Sequence, residues 1–196
     1  YRDKLLTFEE EEGTTKGTKN AKKVEWKTLG EVLIIKNGKD YKSFKSGNIP
    51  VYGSGGIMTY IDTPAFDKPS VLIPRKGSLG NLFYVDVPFW TVDTIFWTDI
   101  NTTIVYPKYV YYFLQTQNLA DLNMAGGVPS LTQSILNKVQ IPIPPLAEQA
   151  RIVSILDKFD ALSSSITEGL PREIELRQKQ YEYYRNMLLS FPKGEK

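Results

Sequence analysis

The chain of 196 residues contains neither cysteine nor histidine. Without thiols there is no disulfide framework, and nothing speaks for an oxidising compartment. Without imidazole or thiolate, the Ser-His-Asp and Cys-His nucleophile systems are excluded, and so are the usual zinc sites. Histidine is also the side chain that most readily carries protons near neutral pH. The composition therefore leans towards binding rather than catalysis. Long apolar runs are missing too: no stretch reaches membrane-spanning length and no signal-peptide pattern opens the chain, so a soluble, cytoplasmic protein is expected. Positive charge is missing locally, since Gly77 to Pro107 holds no Lys or Arg but does hold Asp86, Asp93 and Asp99.

What is present is ordinary in amount and uneven in placement. Hydrophobic residues make up 41% and charged residues 23%, enough for one medium domain with a proper core and an appendage. Net charge is only +2. Yet Lys16 to Lys45 carries nine lysines against three acids, Glu25, Glu31 and Asp40. Such a half can face phosphates; the bland alternative is a solvated lysine-rich surface.

Taken in order, Glu9 to Lys23 is polar and low in complexity, a flexible linker. Trp26, Leu29 and Val32 then recur at helical spacing, with Trp26 a core residue. Leu33 to Lys36 is strand-like and stops at the Asn37-Gly38 turn signal. Ile49 to Tyr52 runs into Gly53-Ser54-Gly55-Gly56, and Ile57 to Ile61 extends again. Val71 to Pro74 meets Arg75-Lys76-Gly77-Ser78-Leu79-Gly80, after which Asn81 to Val85 and the aromatic stretch Phe89 to Trp97 read as strands. Turn signals roughly every ten residues predict a curved, mostly antiparallel sheet. Pro107 to Leu122 is predicted helical, with Val110, Phe113, Leu114 and Leu122 on one face, broken by Gly126-Gly127. Ser130 is the expected cap of a short helix ending near Asn137.

The chain turns on Ile141-Pro142-Ile143-Pro144-Pro145-Leu146-Ala147-Glu148-Gln149. Val139 to Ile141 reads as a last strand, and the prolines hold the next residues extended. Pro145 suits a first helical position and Glu148 the positive end of the helix dipole. From there Ile152, Ile155, Phe159, Leu162, Ile166, Ile174, Tyr181 and Leu188 follow a near-heptad seam. The phase slips at Gly169-Leu170-Pro171, where a kink or local break is expected. About 45 helical residues would span roughly 70 Å, and a rod that long must pack its seam on a partner. Finally, Tyr1 to Phe8 (YRDKLLTF) and Tyr184 to Phe191 (YRNMLLSF) agree at five of eight positions. They read as one repeat seen at both ends, so the chain is expected to be a fragment.

The run from Ile141 to Asp160 (IPIPPLAEQARIVSILDKFD) resembles the joint between recognition domain and spacer helix in specificity subunits of type I restriction-modification systems. The segment around Trp26, the stretch Val71 to Val85 (VLIPRKGSLGNLFYV) and the stretch Phe89 to Thr98 (FWTVDTIFWT) resemble other parts of that recognition domain. The resemblance implies an α+β chain: the end of a preceding helix plus linker (1–23), a β-rich target-recognition domain with short helices (24–144), a coiled-coil-type spacer and dimerisation helix (145–191) and a tail (192–196). It implies a non-catalytic reader of one half of a bipartite duplex DNA target. Methyltransferase and restriction subunits would be its partners, and they, not this chain, would use S-adenosylmethionine, ATP and magnesium. The helices would pair in a homodimer, or with the other half of a longer subunit.

On that footing the two glycine-rich turns are approach points for DNA. Neither matches a dinucleotide or triphosphate loop, and the plain alternative is tight turns needing positive φ. Arg75 and Lys76 would meet phosphates or a guanine edge. Lys36, Lys39, Lys42 and Lys45, spaced by three around Tyr41 and Phe44, would add sequence-independent affinity. Tyr52, Ser54, Ser78, Asn81, Thr91, Asp93 and Thr94 are candidate readers of base edges. Glu25-Trp26-Lys27 and Asp40-Tyr41-Lys42 match the tail of a nuclease metal site but lack a convincing upstream carboxylate. A β-rich carbohydrate- or protein-binding module on a coiled-coil stalk is the alternative from another class.

Overall fold

The computed structural model describes residues 5–6, 24–122 and 130–189, the side chains of 162–173, 175, 186, 188 and 189 excepted. Of the expected leading helix end and linker, only Leu5 and Leu6 fall in this set, as does only part of the matching end at 184–191; the tail at 192–196 lies outside it. The chain divides into two compact units, 1–153 and 154–196.

The first unit is a mixed α/β body with three small sheets in place of one curved sheet. In chain order it runs β1 (Glu25–Thr28), α1 (Leu29–Val32), β2 (Leu33–Asn37), β3 (Ser46–Gly53), β4 (Gly56–Ile61), β5 (Ser70–Pro74), β6 (Phe83–Val85), β7 (Trp90–Thr91) and β8 (Ile95–Ile100). Then come α2 (Pro107–Thr116), a 3-10 turn (Leu119–Leu122), α3 (Gln133–Leu136), β9 (Gln140–Ile143) and the start of α4 (Leu146–Leu189). The strand orders are β1-β9, β2-β8-β5-β6 and β4-β3-β7. Every pairing is antiparallel except β3 with β7.

β5 explains the four-stranded sheet. Ser70, Val71, Leu72, Ile73 and Pro74 are all buried, as a strand covered on both faces requires, and this is why it reads as an unbroken apolar run. It pairs with β8 through Ile73↔Phe96 and Pro74↔Ile95. Further along, side chains take over from the ladder. Ser70 Oγ donates to the Thr98 carbonyl (2.8 Å) and accepts the Thr98 N–H (3.0 Å). Thr98 Oγ1 donates to the Val71 carbonyl (3.0 Å) and accepts the Val71 N–H (2.9 Å). Two buried hydroxyls thus satisfy backbone groups that could not remain unpaired in the core.

Several sequence expectations shift. Trp26 lies in β1 opposite Pro142, so it does not share a helix with Leu29 and Val32; only the single turn of α1 is helical, and it buries those two. The Glu31 carboxylate accepts from both the Thr28 N–H and hydroxyl (2.6 Å each), which holds its pKa below the usual range. α2 ends at Thr116 because Gln117 is extended; the Thr116 hydroxyl bonds back to the Phe113 carbonyl at 2.7 Å. Asn118 Nδ2 to Asp121 Oδ2 (2.6 Å) closes the next turn. The cap of α3 is Thr132, which accepts the Ile135 N–H, while Ser130 bridges to Lys76; the break expected at Gly126-Gly127 lies outside the described residues.

α4 begins at Leu146, one residue after the proline expected to open it, with the Pro145 carbonyl accepting the Glu148 and Gln149 N–H groups. Gln149 is fully buried. Its amide donates to the carbonyls of Pro144 (2.8 Å) and Ile104 (3.0 Å) and accepts the Tyr106 N–H (2.9 Å). Nearby, the buried Tyr109 hydroxyl donates to the Pro142 carbonyl (2.9 Å); burial, and then the Glu148 charge, push its pKa well above the ordinary phenol value.

The backbone of α4 is helical through Gly169, Leu170 and Pro171, so of the kink or break expected there the break does not occur: one proline removes a single ladder bond and the turns on either side continue. Of the seam, Ile152 is buried and Ile155 half-buried, while Phe159, Ile174 and Tyr181 are 44, 58 and 65% exposed. The Leu162, Ile166 and Leu188 side chains lie outside the described set. No helix among the described residues is long and apolar enough to cross a membrane.

Candidate nucleic-acid interface

The two glycine-rich turns, well separated in sequence, meet on one residue. Thr94, in the turn between β7 and β8, accepts the Ser54 N–H on its hydroxyl (3.3 Å). Its carbonyl accepts the N–H groups of Arg75 (2.9 Å) and Lys76 (3.3 Å). Asn81 then ties the loop to the hairpin tip, donating from Nδ2 to the Ser54 carbonyl at 3.2 Å, while its N–H donates to the Ser78 carbonyl. Gly77 has φ 82°, and a Cβ placed on it would stand 3.6 Å from the Ser54 hydroxyl; Gly56 has φ 115°. Only glycine takes these conformations without strain. Both turns need their glycines for conformation, as the plain reading held, and they also form one polar rim.

That rim holds Ser54, Arg75, Lys76, Ser78, Asn81, Asp93 and Thr94, more than half of the residues singled out from sequence. Arg75 is half-buried with its guanidinium 5.9 Å from the Phe96 ring centre and 3.4 Å from the Asp93 carbonyl. Lys76 Nζ stands 3.8 Å from the Asp93 carboxylate, both side chains about half exposed or more. Such a pair contributes little to stability, so the Lys76 ammonium is readily redirected to a stronger anion. Thr94 acts as the pin that holds the rim, its hydroxyl and carbonyl both engaged.

Lys36, Lys39 and Thr91 belong to a second group. They line a cavity of about 520 Å³ together with Ala65, Trp90 and Trp97. Thr91 is 1% exposed, which removes it as a reader of base edges on an open surface. Lys42 and Lys45 are exposed on the loop between β2 and β3, where Tyr41 and Phe44 pack on Val51, Ile61, Trp90 and Val92. Tyr52 sits half-buried against Phe83 and Phe89, ring centres 5.8 and 6.5 Å away; burial pushes its hydroxyl pKa up. Its ring serves the core.

Nothing local in the sequence singles out Trp97 or Ala65 as site residues. The signal that finds Trp97 is its register: it lies directly across β2–β8 from Lys36, which needs the strand pairing to see. Of the nuclease-like tripeptides, Glu25 and Lys27 form an ion pair with each other (3.1 Å), and Asp40 caps the N–H groups of Tyr41 and Lys42. Among the described residues no three His, Cys, Asp or Glu side chains converge as metal ligands would.

The body is built of three small sheets with two pinned glycine turns, and comparison with known proteins gives it a family. The family model described as "Type I restriction modification DNA specificity domain" matches residues 21–176. The chain is 37% identical over 207 residues to a putative type I restriction enzyme specificity subunit of Haemophilus influenzae, covering 97% of this chain and 51% of that protein. It is 33% identical to the EcoR124I/EcoR124II specificity subunit of Escherichia coli, across all of this chain and 52% of the relative. The chain therefore belongs to the type I restriction-modification DNA specificity family, and spans about half the length of these curated relatives. Its fold is shared with the crystal structure of an S subunit from M. genitalium: TM-score 0.63, 22% identity, 80% of this chain and 44% of that one. An HsdS subunit from Thermoanaerobacter tengcongensis gives TM-score 0.63 at 19% identity, with 86% and 43% covered.

Proposed function

We propose that this chain reads one half of a bipartite duplex DNA target for a type I restriction-modification enzyme, without catalysing either methylation or cleavage. The observation that carries the reading is the rim itself: in a chain of this family, two glycine turns and the Asp93–Thr94 turn are locked by Thr94 and Asn81 into one surface bearing Arg75 and Lys76. Backbone that closely approaches a ligand needs glycine, and groups fixed in advance lose little freedom on binding. Arg75 supplies a two-pronged donor for a guanine edge or phosphate, and Lys76, Lys42 and Lys45 supply point charges to the backbone. Methyltransferase subunits would dock along α4 and bring S-adenosylmethionine, and the restriction subunit would bring ATP and magnesium chemistry, in the cytoplasm. The exposed side chains of α4 at Phe159, Ile174 and Tyr181 would pair with the same helix of a second copy, or with its counterpart in a longer subunit. No observation favours a sugar-binding alternative.

The test is selection of duplexes from a random pool by the full chain, followed by affinity measurement across salt. One short sequence block should be enriched. Replacing Lys42, Arg75 and Lys76 by Ala should weaken binding and flatten the log–log salt slope by about 0.9 for each phosphate no longer neutralised. An unenriched pool, or a slope untouched by the triple substitution, would refute the reading.

A further inference from the structure

The cavity beside β7 is built more firmly than a surface dent. Its volume, about 520 Å³, falls within the range typical of small-molecule sites, roughly 300–1,000 Å³. One wall is the segment Gly38–Lys39, clamped from both sides. The Lys39 N–H donates to the Thr91 carbonyl (2.8 Å), and the Trp90 indole N–H donates to the Lys39 carbonyl (3.0 Å). Gly38 lies so close to the end of β7 that an added Cβ would clash with the Val92 carbonyl oxygen. Another wall is Trp97, half-buried and braced by the rings of Phe66 (4.6 Å) and Phe89 (6.3 Å). An indole held in this way is a fixed plate.

Two further features give the cavity a chemistry. Lys36 stands opposite Trp97 in the antiparallel ladder, so the two side chains share a face. Lys36 and Lys39 are exposed, and neither has a carboxylate partner among the described residues. The cavity thus combines an aromatic plate with an uncompensated cationic rim. Thr91, also in the lining, carries a side-chain oxygen that is sealed from solvent and has no hydrogen-bond partner among the described residues.

We infer that this cavity accepts a single nucleotide unit, its base lying against Trp97 and its phosphate between Lys36 and Lys39. Stacking on an aromatic plate suits any base, because each presents a π-face. The lysine pair selects an anion. A neutral sugar would use the plate but leave both ammonium groups uncompensated. The nucleotide could come from two sources: a base turned out of a bound duplex, or a free mononucleotide. The first rests on the DNA-reading function proposed above; the second does not.

The experiment has an arm for each source. In the first, the four deoxynucleoside monophosphates are titrated against the full chain while tryptophan fluorescence is followed, with inorganic phosphate and the neutral nucleosides as controls. Saturable quenching is expected from one or more nucleotides, at least tenfold stronger than from the matching nucleoside, and none from phosphate alone. Ala65→Leu, which crowds the cavity from an exposed position, and Lys36→Ala should each weaken it at least tenfold, with circular dichroism confirming the fold. In the second arm, 2-aminopurine is walked along the selected duplex. Several-fold brightening at one position, lost in Ala65→Leu, is expected if the base comes from the duplex. A positive result in either arm supports the inference and names the source. Quenching that survives both substitutions, or a negative result in both arms, overturns it. Wild-type duplex affinity, measured alongside, shows separately whether the DNA-reading function stands, and if no duplex is selected the mononucleotide arm alone decides.

Discussion

At the scale of single residues, the molecule relies on polar groups placed where the ladder between β5 and β8 gives out. Ser70 and Thr98 are both fully buried, and together they make four hydrogen bonds to backbone groups of each other's strands. Thr98→Val keeps the branched shape but removes the hydroxyl, which strands the Val71 N–H and carbonyl and leaves Ser70 a poorer partner. Each buried polar group left unpaired costs about 1–3 kcal/mol, so the variant should lose roughly 2–4 kcal/mol of stability. Urea unfolding should show this as a lower midpoint at unchanged slope. A drop below about 0.5 kcal/mol would mean that water or a shifted strand takes over these bonds. None of this is visible in the sequence, where Ser70 and Thr98 look like ordinary strand-edge residues.

At the scale of elements, apolar pattern and turn chemistry were legible but pairing partners were not. β5 is plain from Val71 to Pro74, and the Gly53–Gly56 and Arg75–Gly80 turns are legible because glycine and strand endings carry local signals. Trp26 misled because i, i+3, i+6 spacing fits one helical turn as well as a strand followed by a turn. The α3 cap moved from Ser130 to Thr132 because Ser130 is drawn into a bridge with Lys76, far away in sequence. The rim is half legible: its residues stand out as polar groups beside glycine turns, but Thr94's part in pinning them depends on three segments converging. The cavity is not, since its walls come from 36–39, 64–65, 90–91 and Trp97. Gln149 shows the same limit. In sequence it is a polar residue in the first turn of α4; in the structure it joins that turn to the approach to α2 and to the end of β9. Gln149→Leu would bury the Tyr106 N–H and the Ile104 and Pro144 carbonyls without partners. Hydrogen exchange at the Tyr106 amide should then accelerate at least tenfold, while the amides of β5 stay protected. Unchanged exchange at Tyr106 would show that the first turn is held by Ile152 and its apolar neighbours alone.

At the scale of the whole molecule, the chain divides into a unit of 1–153 and a unit of 154–196, and its last helix runs on to Leu189. Most of the buried apolar residues lie within 24–153, Ile152 among them, so that position is occupied inside a single chain and should be left out of any pairing seam. Farther along, Phe159, Ile174 and Tyr181 offer large apolar surfaces to solvent, and so do Leu176, Tyr183 and Met187. A helix this long has no interior of its own, and most helical stability in water comes from packing an apolar face. The seam proposed for a second copy therefore has a clear consequence. The intact chain should scatter light as a particle of about twice 22.3 kDa, and Phe159→Glu with Ile166→Glu should return it to a single chain's mass, because a charge in an apolar seam stays unpaired when buried. Because the rim residues all lie in the first unit, the monomeric variant should keep its single-site affinity for the selected duplex and forgo only the advantage that comes from two linked readers. A dimer that survives both substitutions would place the pairing surface elsewhere, with the exposed strand residues Ile57, Met58 and Tyr60 of β4 next in line for the same charge scan.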